Sequence, residues 1–174
     1  MSDPPSQDLA DRLARGDEAA FAELYDACAD RLHGFLAARL GSRDAASDVL
    51  QNAFLRAVKS RRRFRGVENP IAYLFQIARN EALRHQVKQP RPDTTLPSVE
   101  MLTTAGPNFE DAEVVNAALA QLSADDRELV DLKVFAGFTF REIAEIVGRP
   151  QATVATQYRR ALESLRPWLA RQYR

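Results

Sequence analysis

Residues 139 to 165 read TFREIAEIVGRPQATVATQYRRALESL, and this stretch decides the fold. Thr139 with Glu142 three positions on forms a capping box, in which the threonine oxygen accepts from a free amide and the glutamate reaches back to the threonine amide. Phe140, Ile143, Ala144, Ile146 and Val147 then share one side of the helix so opened. Gly148-Arg149-Pro150 ends it, and a second helix carries Val154, Tyr158, Leu162 and Leu165 inward until Pro167. Its outer side presents Thr153, Thr156, Gln157, Arg159 and Arg160, groups that exchange hydrogen bonds with base edges and phosphates in a major groove about as wide as a helix. A capped helix, a three-residue turn holding glycine and a second helix with a polar outer face are the sequence form of a helix-turn-helix. A plain helical hairpin with a solvated face shares that pattern, so spacing alone leaves both open.

Upstream the pattern is again helical, with apolar residues three and four apart. Phe21, Leu24, Tyr25, Cys28, Leu32, Phe35, Leu36 and Leu40 make one stripe, and Gly41 suits its left-handed end. Ser42 predicts the cap of the next helix, whose stripe runs Ala45, Ala46, Val49, Leu50, Ala53, Phe54, Ala57 and Val58 into the cluster Arg61-Arg62-Arg63-Phe64-Arg65-Gly66. Asn69-Pro70 predicts a third helix to about Lys88, because Asn accepts from unpaired amides and proline at the first helical position has no N–H to waste. Gln89 to Glu110 holds Pro90, Pro92, Pro97, Pro107 and Gly106 with few apolar residues, which predicts a flexible linker. A short helix over Ala112–Gln121 follows. Ser123, with Asp125 and Asp126 in the next turn, starts another that Gly137 ends.

The expected architecture is all-α: two small helical domains, residues 1–88 and 111–174, joined by the linker 89–110. With 174 residues and 45% apolar content the chain can bury a core in each. The single cysteine, Cys28, rules out an internal disulfide, and with only His33 and His85 beside it no zinc site can close. No apolar run approaches the ~18 residues of a membrane span, and Met1 to Pro5 shows no leader pattern. The expectation is a cytoplasmic protein without metal, cofactor or membrane insertion. The formal net charge is zero, yet residues 61–92 carry 8 basic and 2 acidic side chains, 93–126 carry 0 and 7, and 127–174 carry 9 and 5. Two basic stretches therefore flank an acidic one. Enzyme chemistry finds no support, since no phosphate-binding loop, dinucleotide fingerprint, zinc-protease helix or nucleophile elbow occurs.

Three stretches together resemble the extracytoplasmic-function sigma factors of the sigma-70 family. They are Ala46 to Arg56 (ASDVLQNAFLR), Pro70 to Asn80 (PIAYLFQIARN) and Leu122 to Leu165. The chain departs from the family pattern at Asn52, Tyr73, Arg84, Ala155 and Gln157. The resemblance implies a sigma region 2 helical bundle for residues 1–88 and a sigma region 4 helix-turn-helix for 111–174. It implies core RNA polymerase, promoter DNA and an anti-sigma factor as partners, and no catalytic residue. Asp48, Gln51, Asn52, Leu55 and Arg56 would dock polymerase. Arg61, Arg62, Arg63, Phe64, Arg65, Tyr73, Asn80, Arg84 and Lys88 would contact the minus-10 element, where basic and aromatic groups together bind an unstacked strand. Arg149, Thr153, Thr156, Gln157, Arg159 and Arg160 would contact the minus-35 element. The 22-residue linker extends at most ~73 Å at ~3.3 Å per residue, enough to place the two halves on separate promoter elements. A decoy that binds only an anti-sigma factor and a stand-alone helix-turn-helix regulator are the competing readings.

Overall fold

The computed structural model describes residues 5–90 and 109–172, and five of its helices begin where a side chain accepts from otherwise unpaired amides. Ser42 opens α3 (Arg43–Lys59), Ser123 opens α6 (Ala124–Val130) and Thr139 opens α7 (Phe140–Val147), the last with both bonds of its capping box. Asn69 Oδ1 accepts from the amides of Ile71 and Ala72 at the start of α4 (Pro70–Lys88). Asp17 caps α2 (Glu18–Leu40). Ahead of it lies α1 (Pro5–Arg15), which the apolar pattern does not predict; it closes with bonds from Gly16 N to Leu13 O and from Asp17 N to Arg12 O, a Schellman motif with Gly16 at φ +82°.

Helices α2, α3 and α4 pack on one another, and α1 lies against the 3-10 turn Arg61–Phe64 that joins α3 to the loop before α4. The expected linker falls largely outside the described residues. Its last two positions belong to α5 (Phe109–Leu119), which starts three residues earlier than composition predicts. α6 continues as a π turn over Asp131–Phe135, where the amide of Ala136 reaches back five residues to Asp131 O. α8 (Gln151–Gln172) runs through Pro167 instead of stopping there, with Leu165 buried and Trp168 and Leu169 half-buried along its last turns. Proline removes one helical hydrogen bond, and packed neighbours offset that cost.

The described parts share a continuous apolar core. Phe75 of α4 meets Phe35 of α2 at 5.6 Å and Phe138, in the loop before α7, at 4.7 Å. Leu129, Leu132, Ile143, Ile146 and Val154 join the cluster built by α2, α3 and α4. A smaller cluster of Leu119, Val130 and Ala161 lies inside the second half. Three residues expected inside are half out: Tyr25, Val58 and Leu162 each expose two fifths or more of their surface. Each stands beside another apolar residue in sequence or one turn away, and the helix turns only one of the pair into the core.

Candidate nucleic-acid interface

The basic cluster folds around its aromatic residue. Ser60 N bonds to Arg56 O, Arg63 N to Ser60 O and Arg65 N to Arg62 O, so the chain tightens into a 3-10 turn that drives Phe64 inward. Phe64 is 0% exposed and is held edge-on by Phe21 at 6.2 Å and Tyr73 at 5.0 Å. As a stacking surface for a base the Phe64 expectation fails; its ring is the plug that fixes the turn. The four arginines around it stay exposed.

Arg63 joins Arg56, Ser60, Tyr73, Gln76, Ile77, Asn80 and Arg84 around an open cavity of about 370 Å³. Glu81 takes two of these arginines: Arg56 Nε pairs with it at close range and Arg84 donates at 2.6 Å. Arg56 thus faces the cavity, although the family resemblance assigns it to polymerase, and Arg84 reaches the cavity paired with a carboxylate that it shares with Arg56. Asn80 and Arg63 remain as exposed hydrogen-bonding groups beside the half-buried Tyr73. Lys88 is exposed two helical turns beyond Asn80 and does not line the cavity.

A second feature lies between α2 and α3. Phe21, Tyr25, His33, Ser47, Gln51, Phe54, Leu55 and Val58 line a groove of about 700 Å³, with Leu55 53% and Tyr25 48% exposed. Asp48, Gln51, Asn52 and Leu55 are all exposed and recur at the spacing of one helix face. The motif puts every docking residue on α3 and does not reveal the α2 wall. The signal for that wall is Leu24-Tyr25: two adjacent large apolar residues cannot both face one core.

In the helix-turn-helix, Gly148 at φ +69° ends α7, with its amide and that of Arg149 both bonding Ala144 O. Thr153, Arg159 and Arg160 are exposed on α8, and Thr156 is half-buried. Arg149 and Gln157 are engaged elsewhere. Arg149 donates to Gln157 Oε1 (2.9 Å) and Asp125 Oδ2 (3.0 Å), and Gln157 donates to Asp126 Oδ1 (2.9 Å), which ties the turn and α8 to the first turn of α6.

The two halves meet through polar groups as well as the shared core. Glu128 of α6, 4% exposed, accepts from Arg39 Nη1 at 2.7 Å and from Arg79 Nε and Nη2 at 2.7 and 3.1 Å. Arg31 donates to Ala136 O, and Arg141 to Glu68. Asn69 Nδ2 donates at 2.6 Å to Glu142 Oε1, so the cap of α4 is bonded to the cap of α7. Burial alone would raise the Glu142 carboxyl; the amide and hydroxyl of Thr139 and the Asn69 amide hold it below its ordinary value. Tyr73 and Gln76, which line the cavity beside Arg63, also border a second cleft with Arg141 and Glu145. α7 therefore stands next to the Tyr73–Asn80 cavity. Among the described residues there is no cluster of three or more metal-ligating side chains and no helix long and apolar enough to cross a membrane.

Residues 24–91 match the family description "Sigma-70 region 2" and residues 112–165 match "Sigma-70, region 4". The chain is similar to the RNA polymerase sigma factor CarQ of Myxococcus xanthus, 33% identical across 91% of this chain and 94% of that one. It is also similar to the RNA polymerase sigma-H factor of Pseudomonas aeruginosa, 28% identical across 95% and 94%. Among solved structures it resembles the sigma factor RpoE of Bartonella quintana in complex with the anti-sigma factor NepR, with a TM-score of 0.65, 25% identity and coverage of 88% and 96%. CnrH in complex with the cytosolic domain of CnrY shares the fold, with a TM-score of 0.71, 23% identity and coverage of 95% and 97%.

Proposed function

The chain belongs to the extracytoplasmic-function branch of the sigma-70 family, and from that premise we propose how its surfaces divide the work of transcription initiation. It is a sigma factor, an RNA polymerase-binding initiation factor and not an enzyme. Residues 1–88 act as region 2, 89–110 as the linker and 111–174 as region 4, in the cytoplasm. Asp48, Gln51, Asn52 and Leu55, with the α2 wall opposite, dock core polymerase. The groove between α2 and α3 also takes an apolar helix of an anti-sigma factor, which blocks that docking.

Promoter opening without ATP requires the loss of base stacking to be offset by binding of the released strand. The observation that carries this reading is the cavity where Tyr73, Asn80 and Arg63 converge. An amide beside an aromatic edge hydrogen-bonds an extruded base, and an unpaired guanidinium at the rim holds its phosphate. Thr153, Arg159 and Arg160 read the upstream duplex, and Arg149 and Gln157 position α8 from behind.

Reconstituted transcription tests the division. Arg63→Gln with Asn80→Ala lowers transcript yield on closed promoters and permanganate reactivity of the melted region, and a premelted template restores only part of the yield. Arg159→Gln with Arg160→Gln weakens closed-complex binding and leaves strand opening per bound complex intact. Identical defects of both pairs on both templates overturn the division, and a chain that fails to bind core polymerase overturns the function.

A further inference from the structure

We propose that a proton is the ligand that holds the two halves of this chain together: Asp131, buried where the halves meet, carries it in the closed arrangement and gives it up when they part. Acid then closes the chain, and a neutral medium opens it. The proposal concerns the chain before it meets polymerase, so it stands or falls apart from the division of promoter work above.

The segment from Arg127 to Leu132 is buried at six consecutive positions. A helix packed within one half keeps a solvent side, so burial all round means that α6 is covered from two directions. Val130 packs with Leu119 and Ala161 of its own half, whereas Glu128 faces Arg39 of α2 and Arg79 of α4. Asp131 follows Glu128 by three residues and lies on the same side of the segment. It begins the π turn, an uncommon backbone form that recurs at functional sites.

Only one of the two carboxyl groups in this cluster is well supplied with donors. Glu128 accepts from both arginines of the other half, using both its oxygens. Asp131 Oδ1 accepts no hydrogen bond among the described residues, and Arg127 Nε stands 3.6 Å from Oδ2, beyond a good bond. Arg31 of α2 reaches this turn but donates to Ala136 O. The charged groups that act on Asp131 are Arg127 and Glu128 of α6 and Arg39 of α2, with Arg79 of α4 beyond Glu128. From α7 and α8 the segment is closed by Ile143, Ile146, Val154 and Ala161. An ionised oxygen cut off from water and without a donor is costly, and protonation removes that cost. Burial pushes the carboxyl up to about 7 against the pull of Arg127 and Arg39, with Glu128 adding its repulsion. Parting of the halves admits water, and the proton affinity falls towards the ordinary 3.8. The closed form therefore binds the proton more tightly, so the ratio of open to closed chain rises with pH up to about 7 and levels off above it.

Single-molecule energy transfer on the full chain measures that ratio, with dyes on Asp11→Cys and Glu163→Cys, both exposed, and the native Cys28 buried. The ratio rises about tenfold from about pH 6 to about pH 8 in the wild type. Asp131→Asn keeps the shape of the side chain and cannot ionise, so its ratio stays at the wild-type acid value throughout. The carboxyl carbon resonance of Asp131, identified by its loss in that variant, titrates at about 7. Matched helicity of the two proteins by circular dichroism separates opening from unfolding. A ratio that does not change with pH, whether the chain is always closed or always open, overturns the proposal, as does a carboxyl that titrates at its ordinary value in the closed chain. A pH dependence that survives in Asp131→Asn overturns it as well and passes the role to another titrating group, His33 or His85.

Discussion

Asp131 shows how far one side chain departs from its usual chemistry in this fold. It sits in the π turn, nearly fully buried, and desolvation pushes its carboxyl from 3.8 up to about 7 although Arg127 lies 3.6 Å away. A carboxyl whose folded pKa is raised binds its proton more tightly folded than unfolded. Its contribution to stability is therefore complete below pH 3.8 and is lost as pH rises towards about 7. In that window the slope is at most about 1.4 kcal/mol per pH unit. Asp131→Asn removes this dependence, so the difference in thermal midpoint between variant and wild type shifts in favour of the variant as pH rises; a difference constant with pH refutes the assignment. No sequence pattern announces such a residue, because its burial depends on helices from the other half of the chain. The same holds for Gln157. The sequence places it on the outer face of α8, whereas the structure turns it, half-buried, onto Asp126 and Arg149, partners that lie 31 and 8 residues away along the chain.

At the scale of elements the sequence is most informative where one side chain acts on its own helix. Ser42, Asn69, Ser123 and Thr139 each cap the helix that the sequence predicts for them, because a cap needs only three consecutive amides and no tertiary context. The contacts that cross elements leave no such trace. Phe64 reads as a ring flanked by arginines and lies in the core, and α1 reads as polar because the side it packs on the core is short, with Ala10, Leu13 and Ala14 buried and Leu9 partly so. Asn69 separates the two kinds of information. Asn69→Ala removes the cap of α4 and costs about 0.5–2 kcal/mol in chemical denaturation. Asn69→Asp keeps the cap but replaces the amide facing Glu142 with a second carboxylate. Its effect is faster hydrogen exchange in α7 with α4 protected as in the wild type. Equal exchange in both helices for the two variants would show that the bond to Glu142 contributes nothing.

At the scale of the whole molecule, the all-α class and the helix-turn-helix are legible from periodicity and caps, while the packing of one half on the other is not. Its key group is a single carboxylate that pairs with two arginines from different helices. Removing one member of a buried charge set strands the others and costs about 3–5 kcal/mol. Glu128→Ala leaves Arg39 and Arg79 without their anion, and the expected result is a larger radius of gyration by small-angle scattering with helicity unchanged. A scattering curve that superimposes on the wild type refutes this. The two-element reading proposed above requires the halves to separate, and the interlocked caps bear on that step. Asn69 holds α4 with its oxygen and Glu142 with its nitrogen, and Glu142 keeps its own bond to the Thr139 amide through the other carboxylate oxygen. When the bond between them breaks, both helix starts remain closed. The two caps thus survive any parting of the halves, and what parting must break is the Phe75–Phe138 contact and the ion pairs of Glu128 with Arg39 and Arg79.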